Sequence, residues 1–116
     1  MSENRREFFR VNFQRSLSGQ LLVHGGESMF LSIDNLSVKG LGFSSSIEIP
    51  LHARVECRFE IIDTPFQMVG SIIRKSRKTD EIEYGIDFEV DKEKSSLLFK
   101  QLNTYQIRQR RASYVD

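Results

Sequence analysis

The chain has 116 residues and a formal net charge of +1, from 17 Lys and Arg residues against 16 Asp and Glu residues. This near balance gives no general basic field for nucleic acid, so a site for an anion must be built locally. One cysteine, Cys57, and two separated histidines exclude an intramolecular disulfide and a zinc cluster with thiolate ligands. With no apolar core of a signal peptide and no apolar run of membrane-spanning length, the sequence predicts a cytoplasmic protein.

The first half of the chain predicts three strands. Residues 17–23 and 29–33 alternate between apolar and polar side chains, and the intervening His24-Gly25-Gly26-Glu27 predicts a hairpin, because glycine supplies the positive φ of a tight turn. Residues 40–44 predict a third, shorter strand.

The second half predicts three more strands. Residues 53–61 and 82–90 alternate strictly between apolar and charged side chains, which is typical of half-buried antiparallel strands. This alternation places Cys57 on the core face. Residues 66–72 continue the pattern between predicted turns at 63–65 and 77–80. Six strands with short connections predict a closed or nearly closed antiparallel barrel, because closure removes exposed strand edges.

The pattern changes once, near the C-terminus. Leu98, Leu102 and Tyr105 recur at helical spacing in a stretch without Gly or Pro, which predicts one amphipathic helix over residues 92–111. We expect this helix to pack over an opening of the barrel. The arginines near its end have the sign that a helix C-terminus favours.

An arginine pair near the N-terminus is the first candidate for binding. Arg6 and Arg10 are four residues apart, so they point to the same side of a strand or of a helix. Each guanidinium is a planar fork of donors that suits phosphate oxygens or the acceptor edge of guanine. By itself the pair is better explained as a solvated basic N-terminus.

The second candidate is the turn Asn35-Leu36-Ser37-Val38-Lys39-Gly40. Asn and Ser side chains cap backbone groups in tight turns, and Gly permits conformations closed to other residues. Such a turn can offer a carboxamide, a hydroxyl and backbone N–H groups to a ligand. Asp34 could cap the same turn or orient an arginine. By itself this pattern is also that of an ordinary turn between strands.

Together, and in this order, the two motifs resemble the bacterial PilZ domain, the receptor module for cyclic di-GMP. The segments Gly70-Ser71-Ile72-Ile73-Arg74 and Tyr84-Gly85-Ile86-Asp87-Phe88, followed by a terminal helix, extend the resemblance over nearly the whole chain. It implies an all-β dominated fold, a six-stranded antiparallel split β-barrel with one C-terminal α-helix. The chain is then a stand-alone single domain of residues 1–116, with a flexible ligand-clamp segment at 1–13, the barrel at 15–90 and the helix at 92–111.

The resemblance also implies the site. Arg6 and Arg10 grip guanine edges and phosphates, while the second motif holds the opposite guanine. Arg5 tends to accompany two intercalated ligand molecules in the family. The implied set of ligand-binding residues is Arg5, Arg6, Arg10, Asn35, Ser37 and Gly40, with Asp34 and Arg74 as further candidates. For Arg74 a solvated strand residue is the alternative.

We therefore expect a cyclic di-GMP receptor without catalytic residues, metal or cofactor. Ligand binding orders the N-terminal segment and changes the surface shown to a downstream protein, with motility, exopolysaccharide or biofilm formation as the output. Two alternatives stay open. One is a PilZ-like protein-interaction module that binds no nucleotide. The other is a small nucleic-acid-binding barrel, which requires exposed aromatic residues interleaved with basic ones, whereas the aromatic residues here lie mostly on apolar faces.

Overall fold

The structure, a computed structural model, describes residues 9–114 of the chain. The elements of this part are β1 (Arg10–Val23), β2 (Ser28–Ser37), β3 (Gly40–Ser45), β4 (Arg54–Ile61), β5 (Thr64–Arg77), β6 (Ile82–Phe88) and α1 (Lys92–Tyr114). All strand pairs are antiparallel, and the strands close into a barrel in the order β1-β2-β3-β6-β5-β4. The predicted six-stranded barrel with one C-terminal helix is confirmed.

Alternation of side chains builds the barrel wall. In β4, Val55, Cys57 and Phe59 are buried in the core, while the residues between them carry charge and face outward. Burial, with a smaller effect of the Glu56 charge, raises the pKa of the Cys57 thiol to about 12. The thiol is therefore a neutral core group, as the sequence pattern predicts.

The first strand begins earlier than the sequence predicts. Residues 10–13, assigned above to the flexible clamp segment 1–13, lie in β1, and Arg10–Asn12 pair with Asn35–Ser37 of β2. Polar and apolar side chains do alternate over residues 10–14, with Val11 buried and Phe13 packed against the core, so the signal for this part of the strand was present in the sequence. The β1–β4 seam includes only Gly19–Val23 of β1. Residues 1–8 of the clamp segment lie outside the described residues.

The hairpin connections follow their turn chemistry. The predicted hairpin between β1 and β2 is present, with Gly25 at a φ of 79°. The β4–β5 turn consists of Ile62 and Asp63, one residue before the predicted position, and both have positive φ, 49° and 61°. This is the pattern of a type I′ turn, whose twist matches that of the flanking strands. Pro65, expected in the turn, lies in β5 opposite Glu60.

Helix α1 begins as predicted and ends at Tyr114, three residues beyond 111. The Asp91 carboxylate caps its start by accepting a hydrogen bond from the Lys94 N–H at 3.1 Å. Leu98 and Leu102 are fully buried in the barrel core, so the helix covers apolar interior. Among the described residues, no helix has the apolar length needed to cross a membrane.

Two ring contacts join α1 to the start of the chain. Phe9, just before β1, meets Phe99 edge to face, and Phe13 of β1 meets Tyr105 in the same way, with the ring centroids 5.5 Å apart in each pair. The first half of β1 is therefore held between β2 on one side and the helix on the other.

The far end of β5 is fixed by a charged cluster. Glu48, in the connection between β3 and β4, bonds to the Lys75 ammonium at 2.6 Å and also to Arg77. These hydrogen bonds hold the pKa of Glu48 below its usual value. Tyr84 fixes the same connection, since its hydroxyl accepts from the Ile49 N–H at 2.9 Å and donates to the Ile47 carbonyl at 2.8 Å.

Candidate functional site

The two sequence motifs meet where the start of β1 lies beside the end of β2. Arg10 is the cross-strand partner of Ser37. Its Nη1 donates a hydrogen bond to the Asn35 Oδ1, and its Nη2 donates to the Ser37 Oγ at 3.3 Å. The structure therefore brings together Arg10 of the first motif and two residues of the second. Arg5 and Arg6 lie outside the described residues.

Ser37 is fully buried, and every hydrogen-bonding position of its hydroxyl is occupied. Besides accepting from Arg10, its Oγ accepts from the Lys39 N–H at 3.2 Å and donates to the Gly40 carbonyl at 3.3 Å. A hydroxyl offers one donor and two acceptor positions, so all three are used. Ser37 thus closes the turn and holds Arg10, and a direct contact with a ligand requires the exchange of one of these bonds.

Gly40 is needed for a close approach between strands. A β-carbon at this position would overlap the carbonyl oxygen of Ile86 in the neighbouring β6. The glycine of the second motif therefore lets β3 lie tightly against β6 and supplies the carbonyl that Ser37 binds.

Among residues 9–114, the Asp34 carboxylate bonds to two serines and to neither the turn nor an arginine, the two roles that the sequence suggested. Its carboxylate accepts hydrogen bonds from Ser16 at 3.1 Å and from Ser44 at 2.9 Å, so it links β1 to β3. Asp34 lies at an irregularity of β2, where Ile33 pairs with Phe43 and the next paired residue is Asn35. This bulge turns Asp34 and Asn35 outward together and allows Asn35 to reach Arg10.

A side-chain-free floor extends from Asn35 across the barrel wall. In the strand register Asn35 pairs with Gly42, Gly42 with Gly85, and Gly85 with Arg74. A β-carbon at Gly42 would lie 2.7 Å from the Asn35 Nδ2, so this glycine makes room for the carboxamide. A β-carbon at Gly85 would lie 3.3 Å from the Arg74 Cβ. The two glycines form a floor with a polar side chain lying over each end.

Arg74 and Arg10 are brought to the same surface and influence each other. Partial burial of Arg10, and next the charge of Arg74, lower the pKa of Arg10. None of the ion pairs among residues 9–114 includes either arginine. Arginine stays protonated at neutral pH, so two cations face one region of surface, and neither is neutralised by a carboxylate of residues 9–114. Such a region attracts an anion.

Two depressions adjoin along this surface, and both are lined by Asn35 and Arg74. The larger, of about 570 Å³, also includes Arg10 and Ile73. The smaller, of about 380 Å³, includes Asp34. The candidate residues Arg10, Asn35 and Arg74 therefore share one continuous site.

Sequence reasoning missed Gly42 and Gly85. Both stand at outward positions of strands, where alternation otherwise places polar side chains. Glycine inside a strand marks a bulge or a place where another group approaches the backbone closely, so the signal was present in the sequence. What the sequence could not show is that the two glycines are cross-strand partners.

Comparison with known families decides the identity of the fold. The family model of the PilZ domain matches residues 4–105. The chain belongs to the PilZ family. The matched range includes both motifs and extends into α1. Comparison with curated protein sequences gave no match.

Solved PilZ structures share the fold at low sequence identity. The PilZ domain of Escherichia coli YcgR, solved with c-di-GMP, is 15% identical with a TM-score of 0.71, over 96% of this chain and 99% of that one. The Bacillus subtilis inhibitor of motility MotI/DgrA is 15% identical with a TM-score of 0.70, over 91% of this chain and 53% of that one. The PilZ domain of CeSA from a cellulose-synthesizing bacterium is 13% identical with a TM-score of 0.61, over 81% and 93%. This chain therefore spans about half the length of MotI/DgrA.

Proposed function

We propose that this PilZ domain is a receptor for cyclic di-GMP that regulates a downstream protein and catalyses no reaction. The observation that carries the proposal is the joining of the two motifs: Asn35 and Ser37 fix the guanidinium of Arg10 at the surface. The similar PilZ domain of YcgR was solved with this ligand, which supports the choice of nucleotide.

The chemistry of the site suits an anionic guanine nucleotide. A guanidinium has five N–H donors, and Arg10 gives two of them to residues 9–114, so three are available beyond these bonds for phosphate or for the O6 and N7 acceptors of guanine. Arg74 adds a second positive charge to the same depression. Arg5 and Arg6 complete the clamp from the N-terminal side and match the two phosphates of the ligand.

Asn35 has a defined orientation for recognition. Because its Oδ1 accepts from Arg10, its Nδ2 is the donor of the pair; this nitrogen has no acceptor among residues 9–114 and lies over Gly42. A ligand that reaches the glycine floor meets this donor. Arg10 thus binds the ligand and also sets the direction in which Asn35 donates.

The position of Arg10 explains how ligand binding changes the surface that a downstream protein contacts. The strand that carries Arg10 also carries Phe13, with Phe9 just before it, and these rings contact α1. A ligand that fixes the start of β1 therefore also fixes its contact with the helix. The surface formed by the N-terminal segment and α1 changes for a downstream protein, with motility, exopolysaccharide or biofilm formation as the output.

The two adjoining depressions support a second part of the proposal, that two cyclic di-GMP molecules bind as an intercalated pair. Asn35 and Arg74 line both depressions, so each can contact more than one base. Arg5 then contacts the second molecule. Replacing Arg5 by Leu is expected to shift the binding ratio from two toward one.

Isothermal titration tests the proposal directly. Cyclic di-GMP is expected to bind saturably with a ratio near two per chain, and GTP, the control with the same base and more charge, is expected to bind much more weakly. Equilibrium dialysis detects binding even when it releases or absorbs no measurable heat. Absence of binding in both measurements contradicts the receptor function, and a ratio of one in the unaltered protein contradicts only the intercalated pair.

A further inference from the structure

One arginine of the site lies in neither motif but has an unusual setting. The Arg74 side chain crosses Gly85, and a β-carbon there would lie 3.4 Å from its Nε and 3.5 Å from its Cζ. Gly85 is buried although it faces outward, whereas Arg74 itself is exposed. The guanidinium therefore covers the floor on one side and is open to solvent on the other.

A bulge in β5 creates this setting. Ile72 faces the core opposite Ile86, and the next cross-strand pair is Arg74 with Gly85, so Ile73 is an extra residue. Because side chains alternate along a strand, Arg74 would face the interior without the bulge. The bulge turns both Ile73 and Arg74 outward and places the arginine opposite a glycine, where its side chain can lie down.

The electrostatics of Arg74 distinguish it from other arginines of the barrel wall. Arg54, Arg58 and Arg77 each form an ion pair with a glutamate. Arg74 has no such pair among residues 9–114. Its positive charge repels that of Arg10 and contributes to the lowered pKa of Arg10. The two carboxylates that line the smaller depression with it are bonded elsewhere, Asp34 to two serines and Glu83 to Lys78. Within the part of the chain that the structure describes, Arg74 is thus an exposed cation without an anionic partner.

We propose that Arg74 is a base-stacking residue of the ligand site, held over the Gly42–Gly85 floor so that the open face of its guanidinium packs against a guanine of cyclic di-GMP. A guanidinium is planar and weakly hydrated, and it stacks on aromatic rings. Ile73, which is 56% exposed and lines the same depression, supplies an apolar flank for the base. This inference rests on the proposed receptor function.

Three substitutions of Arg74 separate stacking from charge. Calorimetry with cyclic di-GMP is expected to show affinity reduced roughly 5- to 150-fold in Arg74→Ala, the range for loss of one stacked base. Arg74→Tyr restores a planar face without charge and is expected to recover most of this loss. Arg74→Lys keeps the charge without the plane and is expected to bind little better than Arg74→Ala.

A matched control and an indirect variant complete the test. Arg77→Ala removes one positive charge from the same strand at the Glu48 cluster, and its affinity is expected to equal that of the unaltered protein. Gly85→Ala adds a β-carbon beneath the Arg74 side chain and is expected to weaken binding while the thermal unfolding temperature stays within a few degrees.

The outcomes distinguish this inference from the function on which it rests. If the unaltered protein does not bind cyclic di-GMP, both proposals are overturned. If it binds and Arg74→Ala binds equally well, only the stacking role is overturned. Full recovery in Arg74→Lys with none in Arg74→Tyr would show a purely electrostatic contact and would also overturn stacking.

Discussion

Two regions of the barrel surface obey different rules. On the outward face of β4, which we call the paired wall, Arg54 lies 2.6 Å from Glu89 and Arg58 lies 3.1 Å from Glu56. On the row Asn35–Gly42–Gly85–Arg74, which we call the ligand wall, two outward positions carry no side chain. Within residues 9–114, Arg74 and the adjacent Arg10 form no ion pair with a carboxylate. The proposed site lies where the usual polar and charged side chains of an outward strand face are missing, a departure that is expected at functional positions.

The difference predicts unequal tolerance to substitution. Exposed ion pairs contribute little to stability, typically about 0–1 kcal/mol each, so the paired wall can lose a charge at small cost. The ligand wall requires that Gly42 and Gly85 carry no side chain, because a β-carbon at either position would press against Asn35 or Arg74. The predictions below test this contrast from the largest expected effect to the smallest.

The largest effect is expected for Gly40→Val. The new side chain overlaps the Ile86 carbonyl and separates β3 from β6, which should lower the free energy of unfolding by about 3–5 kcal/mol. Urea denaturation measures this change. Arg58→Val, an equally β-branched substitution on the paired wall, should change it by less than about 1 kcal/mol. Equal urea midpoints for the two variants would mean that β3 and β6 do not approach as closely as described.

The second prediction concerns binding alone. Arg10→Ala, and likewise Arg6→Ala, should weaken cyclic di-GMP binding by about 2–3 kcal/mol, or roughly 30- to 150-fold, because each removes a charged fork of donors. Arg58→Ala removes the same charge from the paired wall and should change affinity by less than about twofold. Calorimetry and circular dichroism together show whether binding is lost with the fold intact. Near-normal affinity in both variants would refute the arginine clamp.

The third prediction tests the floor. In Gly42→Ala the new β-carbon lies within 3.0 Å of both the Nδ2 and Oδ1 of Asn35, so the carboxamide must move. We expect affinity to fall by about 1–2 kcal/mol, or roughly 5- to 30-fold, with little change in stability. The control is Gly26→Ala in the β1–β2 hairpin, away from the row. Unchanged affinity in Gly42→Ala would show that the floor does not position Asn35.

Much of the fold could be predicted because it follows from local pattern. Alternation at Val55, Cys57 and Phe59 defines a strand, and Leu98 and Leu102 define the inward face of the helix. The joint occurrence of the two motifs predicted a shared site, and the structure brings Arg10 of the first motif to Asn35 and Ser37 of the second. These inferences need only the period of a strand, the period of a helix and the chemistry of donors.

The remaining features depend on register between strands, which no short segment contains. The bulge that turns Arg74 outward is defined only by its partners on β6. The Gly42–Gly85 pair joins residues 43 positions apart. Burial of Ser37 is likewise set by neighbours from β1 and β3. Sequence could name these residues, but not what lies opposite them.

The smallest effect is expected for Ser37→Ala, and it decides how this residue acts. The hydroxyl is fully buried and bonded to Arg10, so it should support binding by holding the guanidinium. Loss of one such bond should weaken binding by about 0.5–1.5 kcal/mol, and the Lys39 N–H left without its acceptor should lower stability by a similar amount. Because the effect on binding passes through Arg10, it should vanish in the Arg10→Ala background. A double-mutant cycle measured by calorimetry gives this coupling. Additive losses would instead mean that the Ser37 hydroxyl touches the ligand itself, and that the buried geometry rearranges on binding.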